Sequence, residues 1–184
     1  MSDRTVALED VRAAVLALVG LTLNGRAGAV DMEMLDRGPP TERPRRDGTS
    51  MLCGAYDLHI QAHWRLVRDG RILVGYRDVR DPPTGVDPEG WDPNDSPFNR
   101  RDELVTGWFA ERPSARIVTA AEVLETWDLG LAFDDGSKLE VLPDLTAEDD
   151  EYWRLLRPDD HVVVGGFGAY VNGPSADAAR GVAR

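Results

Sequence analysis

The sequence predicts an α+β fold, mainly antiparallel sheet with about three helices, and three observations carry that expectation. From Tyr56 to Tyr76 apolar and polar residues alternate with the period of a strand on either side of Asp69-Gly70, a pair suited to the positive φ angles of a type I′ hairpin turn. A second strand–turn–strand unit surrounds Asp135-Gly136. Apolar residues spaced by three and four, flanked by capping and stop signals, mark helices near residues 5–20, 96–112 and, more briefly, 146–157.

In chain order, Thr5 is the expected N-cap of a helix whose stripe is Leu8, Val11, Val15, Leu18 and Val19 and which stops at Gly20. Leu21–Leu23 and Ala29–Leu35 read as a short hairpin turning at Asn24-Gly25. In its second strand Val30, Met32 and Met34 alternate with Asp31 and Glu33. Residues 36–50 carry three prolines and four arginines without periodicity, which predicts an exposed, mobile loop.

In the main hairpin Leu58, Ile60, Ala62, Trp64 and Leu66 fall on one face, and His59, Gln61, His63 and Arg65 on the other. Counting outward from Asp69-Gly70 pairs Val67 with Ile72, Leu66 with Leu73 and Trp64 with Gly75. A second Pro-rich loop follows, its acidic residues crowded around Trp91. Ser96-Pro97 is the expected start of a helix with Phe98, Val105, Trp108 and Phe109 on one side, ending before Pro113.

Arg116–Val123, Trp127–Phe133 and Lys138–Leu142 read as strands. A three-residue loop, Asp134-Asp135-Gly136, pairs Leu131 with Leu139 and Leu129 with Val141, whereas a two-residue loop sets Leu131 against Glu140, so the longer loop is expected. Thr146 caps the expected third helix, with Glu148, Asp149, Asp150 and Glu151 in its first turn and Arg154 and Arg157 at its end. His161–Gly165 is the expected last strand.

Trp64-Arg65-Leu66 recurs as Trp153-Arg154-Leu155, and each copy is followed by an apolar run ending in glycine, Ile72–Gly75 and Val162–Gly165. The expectation is one α+β domain over residues 1–170. It contains two related helix-plus-strands halves, about 5–78 and 96–166, on a shared sheet, and a flexible tail at 171–184.

An apolar content of 42% in 184 residues is enough to bury one core. No run approaches the roughly 20 apolar residues of a membrane span, and MSDRTVALED lacks the order of a signal peptide, so a soluble cytoplasmic protein is expected. A net charge of −12 repels nucleic acid and anionic membranes. Cys53, the one cysteine, excludes an internal disulfide framework and a Cys-rich zinc site.

Two groups of residues are candidates for binding. His59, Gln61, His63 and Arg65 form a polar strand face on which a histidine is available as a general base. At about 3.3 Å per residue its two histidines stand about 13 Å apart, too far to share a metal, and no metal is expected. Asp87, Glu89, Trp91, Asp92 and Asp95 form an acidic patch around an aromatic, suited to a protein partner; DPEGWDPND lacks the spacing of an EF-hand loop. VVVGGFGAYV lacks the third glycine and the following helix of a dinucleotide-binding turn. No catalytic set and no cofactor are expected.

With LHIQAHWRLVRDGRILVGYRD, FDDGSKLEVLPD, EYWRLLRP and HVVVGGFG in view, residues 8–168 resemble a group of uncharacterised actinobacterial proteins. Ala62-His63 departs from that pattern, which carries cysteine-proline there. In size, acidity and small β-rich units the chain also looks like some toxin-immunity proteins. These resemblances imply membership of a family without a mechanism.

The leading expectation is a non-catalytic protein-binding module, immunity-like or regulatory, monomeric or homodimeric. The rival is a small-molecule enzyme or ligand binder using the His59, Gln61, His63 and Arg65 face.

Overall fold

The computed structural model of the chain describes residues 4–29, 31–44, 48–93, 96, 98–112, 114–144 and 146–172. Its strands are β1 (Arg4–Thr5), β2 (Thr22–Ala29), β3 (Met32–Pro44), β4 (Ser50–Ile60), β5 (His63–Arg68), β6 (Arg71–Gly75), β7 (Arg116–Val123), β8 (Leu129–Phe133), β9 (Lys138–Leu142), β10 (Glu151–Leu156), β11 (His161–Gly165) and β12 (Gly168–Asn172). The helices are α1 (Leu8–Leu16) and α2 (Arg100–Ala110), with a 3₁₀ turn at Tyr76–Arg80. The result is broadly α+β but mostly β. Among the described residues there are two α-helices rather than three, and none is long and apolar enough to cross a membrane.

The strands form one 12-stranded sheet in the order β1-β12-β11-β10-β4-β3-β2-β7-β8-β9-β5-β6, with antiparallel pairing throughout. Outward from the central β2–β7 pair, each side runs through a three-stranded meander and then a hairpin that belongs to the other half of the chain. The β10–β11 hairpin completes β2-β3-β4, and the β5–β6 hairpin completes β7-β8-β9.

The register repeats as well. One row across the first side is Leu35–Leu58–Leu155, and its counterpart on the second is Leu131–Leu139–Leu66. The next rows are Glu33–Ile60–Trp153 and Leu129–Val141–Trp64. Leu23–Arg37 corresponds to Val118–Phe133. The helices match too, since the buried or core-packed positions Val11, Ala14, Val15 and Leu18 have the same spacing as Arg101, Leu104, Val105 and Trp108.

Much of the sequence reading holds at this level. Asp69 and Gly70 have φ of 52° and 72°, as a type I′ turn requires, and Gly136 has φ of 79° in the three-residue loop that pairs Leu131 with Leu139. Gly20, at φ 86°, ends a turn that follows α1 rather than the helix itself, whose C-cap is Ala17, and Val19 of the expected stripe is 42% exposed in that turn.

Other expectations are corrected. Tyr56–Arg68 is not one strand: it breaks at Gln61-Ala62, whose N–H groups both reach Tyr152 O at 2.9 Å, and β4 and β5 join different sides of the sheet. In the β5–β6 hairpin Val67 faces Ile72 as expected, but a bulge then sets Leu66 against Val74 and Arg65 against Gly75. The extra residue turns Val74 into the core beside Leu66; the unbulged register would set it beside Arg65 on the outer face.

Asn24-Gly25 is likewise a bulge rather than a turn, and the chain reverses between Ala29 and Met32. Of the expected loop, residues 36–44 and Ser50 are strand, with Pro40 opposite Gly54 and Pro44 opposite Ser50, and residues 45–47 lie outside the described ones. β2 stops pairing with β3 at Arg37, so the prolines that follow cost no bond on that side.

Thr5 lies in β1 opposite Tyr170, and the N-cap of α1 is Ala7. The N-cap of α2 is Asn99, not Ser96, and Phe98 lies outside the helix, 44% exposed. The expected third helix is a turn followed by β10. Its Trp153 and Leu155 are buried at the free edge of β4, where a strand satisfies backbone groups on both neighbours. Both Trp-Arg-Leu copies are therefore strands. β11 is not the last strand: β12 follows it and takes in Val171 and Asn172 from the expected tail, whose residues 173–184 lie outside the described ones.

Candidate functional site

The strand β3 places odd-numbered side chains inward, so Glu33 joins Leu35 and Arg37 on the core face, while Met32 and Met34 are only half-buried. This inverts the expected polarity of the segment and puts a carboxylate where the opposite side of the sheet has Leu129. Arg101 does the same in α2, where α1 has Val11. Both charged groups are 1% exposed.

They meet each other through a four-residue network. Arg26 grips Glu33 with two bonds, Nε to Oε1 and Nη2 to Oε2, both 2.7 Å, and its Nη1 donates to Asp102 at 2.7 Å. Arg101 lies 3.7 Å from Glu33 through Nε and donates Nη1 to Asp31 O at 3.1 Å. Burial opposes charge on Arg26, yet the fork to Glu33 and the bond to Asp102 carry its pKa above the usual value. Burial pushes the Glu33 carboxyl upward against the pull of Arg26 and Arg101. The two-bond fork favours the ion pair, so we take Glu33 as charged.

The network borders a cavity of about 560 Å³ at the start of α2. It is lined by Arg26, Gly28, Asp31, Val79, Arg80, Pro93, Ser96, Phe98, Asn99, Arg101 and Asp102. The start of α2 is held by local chemistry. Asn99 accepts Asp102 N–H at 3.0 Å as the N-cap, Arg100 N–H reaches Asp81 O at 2.9 Å, and Glu103 accepts Thr84 N–H at 2.9 Å and Thr84 Oγ–H at 3.0 Å. Those bonds hold the Glu103 carboxyl below its usual range. A Cβ on Gly28 would come within 3.3 Å of Arg26 Nη2 and 3.5 Å of Arg101 Nη2, so glycine lets both guanidinium groups pack close against the strand.

The residues expected to bind a ligand are not assembled on one strand. His59 lies on β4 between Met34 and Arg154 and contacts Asp57 at 3.1 Å. His63 and Arg65 lie on β5, across the break. His63 Nδ1 is 2.7 Å from Asp144 and its ring is 4.5 Å from that of Tyr76, whose pKa burial and the nearby Asp31 push upward. Arg65 pairs with Glu140 at 2.6 Å, and Gln61 is exposed in the connection. None of the four lines the cavity.

Of the expected acidic patch, Asp87, Glu89 and Asp92 are exposed, Trp91 is half-buried, and Asp95 lies outside the described residues. They belong to the same connection as Pro93 and Ser96, which line the cavity, but do not line it themselves. Among the described residues no group of three or more His, Cys, Asp or Glu side chains is placed to hold a metal ion.

The sequence reading passed over Glu33, Arg26, Arg101 and Asp102. The one signal that points to them is the helix spacing, which sets Arg101 where Val11 stands in the first helix.

Compared with protein-family models, curated proteins and solved structures, the chain matches none.

Proposed function

We propose that the chain is a non-catalytic binding protein whose binding site is the charged cavity at the start of α2. The observation that carries this is the contrast between the two sides of the sheet. Where rows and helix positions correspond, Val11 and Leu129 form apolar core, and Arg101 and Glu33 form a buried ion pair. A buried pair is often no more stabilising than apolar residues of similar volume. The opposite side shows that apolar residues suit these positions, so stability alone does not account for the charges. What distinguishes them is the cavity: Arg101 lines it, and Glu33 lies behind it holding Arg26, which lines it too.

The test is a thermal-shift screen of metabolites against the wild type and the Glu33→Leu/Arg101→Met variant. A ligand at a hundred times its Kd stabilises by about 2.7 kcal/mol, raising Tm by about 5–10 °C in the wild type. The variant should show no shift, and a compound that shifts both equally, or a screen with no shift, removes the reading.

A second reading, an immunity-like or regulatory partner of another protein in the cytoplasm, draws on the exposed Asp87, Glu89 and Asp92 around half-buried Trp91. These suit a basic partner surface. Calorimetry with a partner retained on the wild type, repeated with Trp91→Ala, tests it; unchanged affinity counts against it.

A further inference from the structure

Resting on the cavity as the binding site, we propose that its ligand is a neutral polyhydroxylated molecule of the sugar class. Its hydroxyl groups are held by Asp31, Asp102, Asn99 and Arg80, and its C–H face lies on the ring of Phe98.

The polar part follows from the hydrogen-bonding capacity that the lining leaves unused. Arg26 is taken up by Glu33 and Asp102, and Arg101 is 1% exposed, so neither defines the ligand. Asp102 gives Oδ1 to Arg26 at 2.7 Å and Asp31 gives Oδ2 to Arg80 at 3.4 Å, and the other oxygen of each carboxylate accepts no bond from a described residue. Asn99 accepts Asp102 N–H through its carbonyl oxygen, while its amide group donates to no described residue. Arg80, its side chain 58% exposed, uses one of five N–H groups, on Asp31. Two acceptors therefore stand with an amide and a guanidinium donor around one cavity. A carboxylate can only accept and an ammonium can only donate, whereas each hydroxyl does both, so a molecule with several adjacent hydroxyls engages the whole set.

The apolar part follows from Phe98. It lines the same cavity from outside α2 and is 44% exposed. An open aromatic ring beside hydrogen-bonding side chains suits a ligand with one apolar face, which the ring C–H groups of a sugar supply.

Charge points the same way. The cationic groups Arg26, Arg80 and Arg101 are matched by Asp31, Asp102 and the underlying Glu33, so the site is neutral within a chain of net charge −12. An anion entering it meets the negative field of the whole molecule, and a cation meets the arginines beside the two carboxylates. A neutral ligand meets neither penalty. A volume near 560 Å³ lies within the range of small-molecule sites.

Titration calorimetry on the purified chain decides the matter, with glucose, galactose, mannose, ribose and maltose as one arm and acetate, phosphate, propylamine and glycine as the other. Binding by one or more sugars, with the charged probes weaker by at least about tenfold, is the expected result. Phe98→Ala should weaken that binding by about tenfold, and Phe98→Tyr, which keeps the ring, should retain it. Asp31→Ala, at a side chain 37% exposed, should also weaken it by about tenfold, with an unchanged circular dichroism spectrum.

A charged probe that binds as tightly as the best sugar overturns the sugar class but leaves a binding cavity. Full sugar affinity in either Phe98→Ala or Asp31→Ala overturns the placement. No binding in either arm, while the metabolite screen gives a hit lost in Glu33→Leu/Arg101→Met, overturns the ligand class alone; if that screen is also empty, the cavity reading fails with it.

Discussion

Removing Glu33 alone should be one of the most damaging changes in this protein, and removing its partner as well should repair most of the damage. Glu33 takes two 2.7 Å bonds from Arg26 and faces Arg101 at 3.7 Å, with its own side chain 1% exposed. Glu33→Leu removes the buried carboxylate that both guanidinium groups face, and breaking a buried pair in this way costs about 3–5 kcal/mol. For a chain of this size that lowers Tm by about 6–20 °C. Glu33→Leu/Arg101→Met restores an even count, Arg26 against Asp102, and gives the site the apolar character of Leu129 and Val11. The double variant should return to within about 1 kcal/mol of the wild type, or exceed it. Urea denaturation of the two single variants and the double forms a cycle whose coupling should be at least about 2 kcal/mol. A double variant no more stable than Glu33→Leu refutes the reasoning, because the charges would then be supporting packing that apolar side chains cannot replace.

Further outcomes follow from other parts of the molecule. Arg37 is 0% exposed, its Nε and Nη2 have no partner among the described residues, and burial lowers its pKa to about 10, so it stays charged at neutral pH; Arg37→Met should raise stability in denaturant melts by about 1–4 kcal/mol. Trp153 donates Nε1–H to Trp127 O at 2.9 Å while the buried Nε1–H of Trp64 has no partner among the described residues, so Trp153→Phe should cost about 1 kcal/mol more than Trp64→Phe in the same melts. Asp135, despite burial, is held down to about 2 by Ser137 and Arg116. Its contribution is full above its unfolded pKa near 4 and is lost as pH falls through about 2. Asp135→Asn should therefore flatten acid unfolding across that window, read by circular dichroism. Gly54 has no room for a side chain against Arg37 O and Asp36, and Gly54→Ala should cost about 1–3 kcal/mol in thermal melts.

What was legible in the sequence was local. The turns at Asp69-Gly70 and Gly136 could be placed because a positive φ leaves few residue choices, and the Leu131–Leu139 register because one alternative set leucine against glutamate. The recurring Trp-Arg-Leu was visible too. Its meaning was not, because EYWRLL suits a helix turn as well as a strand, and only the open edge of β4 decides between them. The cavity was hidden for a related reason. Glu33 alternates with two methionines, and nothing local shows that the glutamate rather than the methionines turns inward; that depends on the bulge at Asn24 and on α2, which lies far along the chain.

The exchanged hairpins have a consequence for how the chain comes into being. During synthesis β2, β3 and β4 emerge first, yet β4 lacks its outer neighbour until β10 is made, some 90 residues later. The β5–β6 hairpin likewise waits for β9. Neither half can close its own sheet, so the late, long-range pairings should make folding slow for a chain of this length and leave an open strand edge exposed meanwhile. Once closed, the same arrangement makes the halves hold each other. A cut in the connection at residues 81–93 should leave two fragments that stay together through paired strands, and that neither fragment reproduces alone.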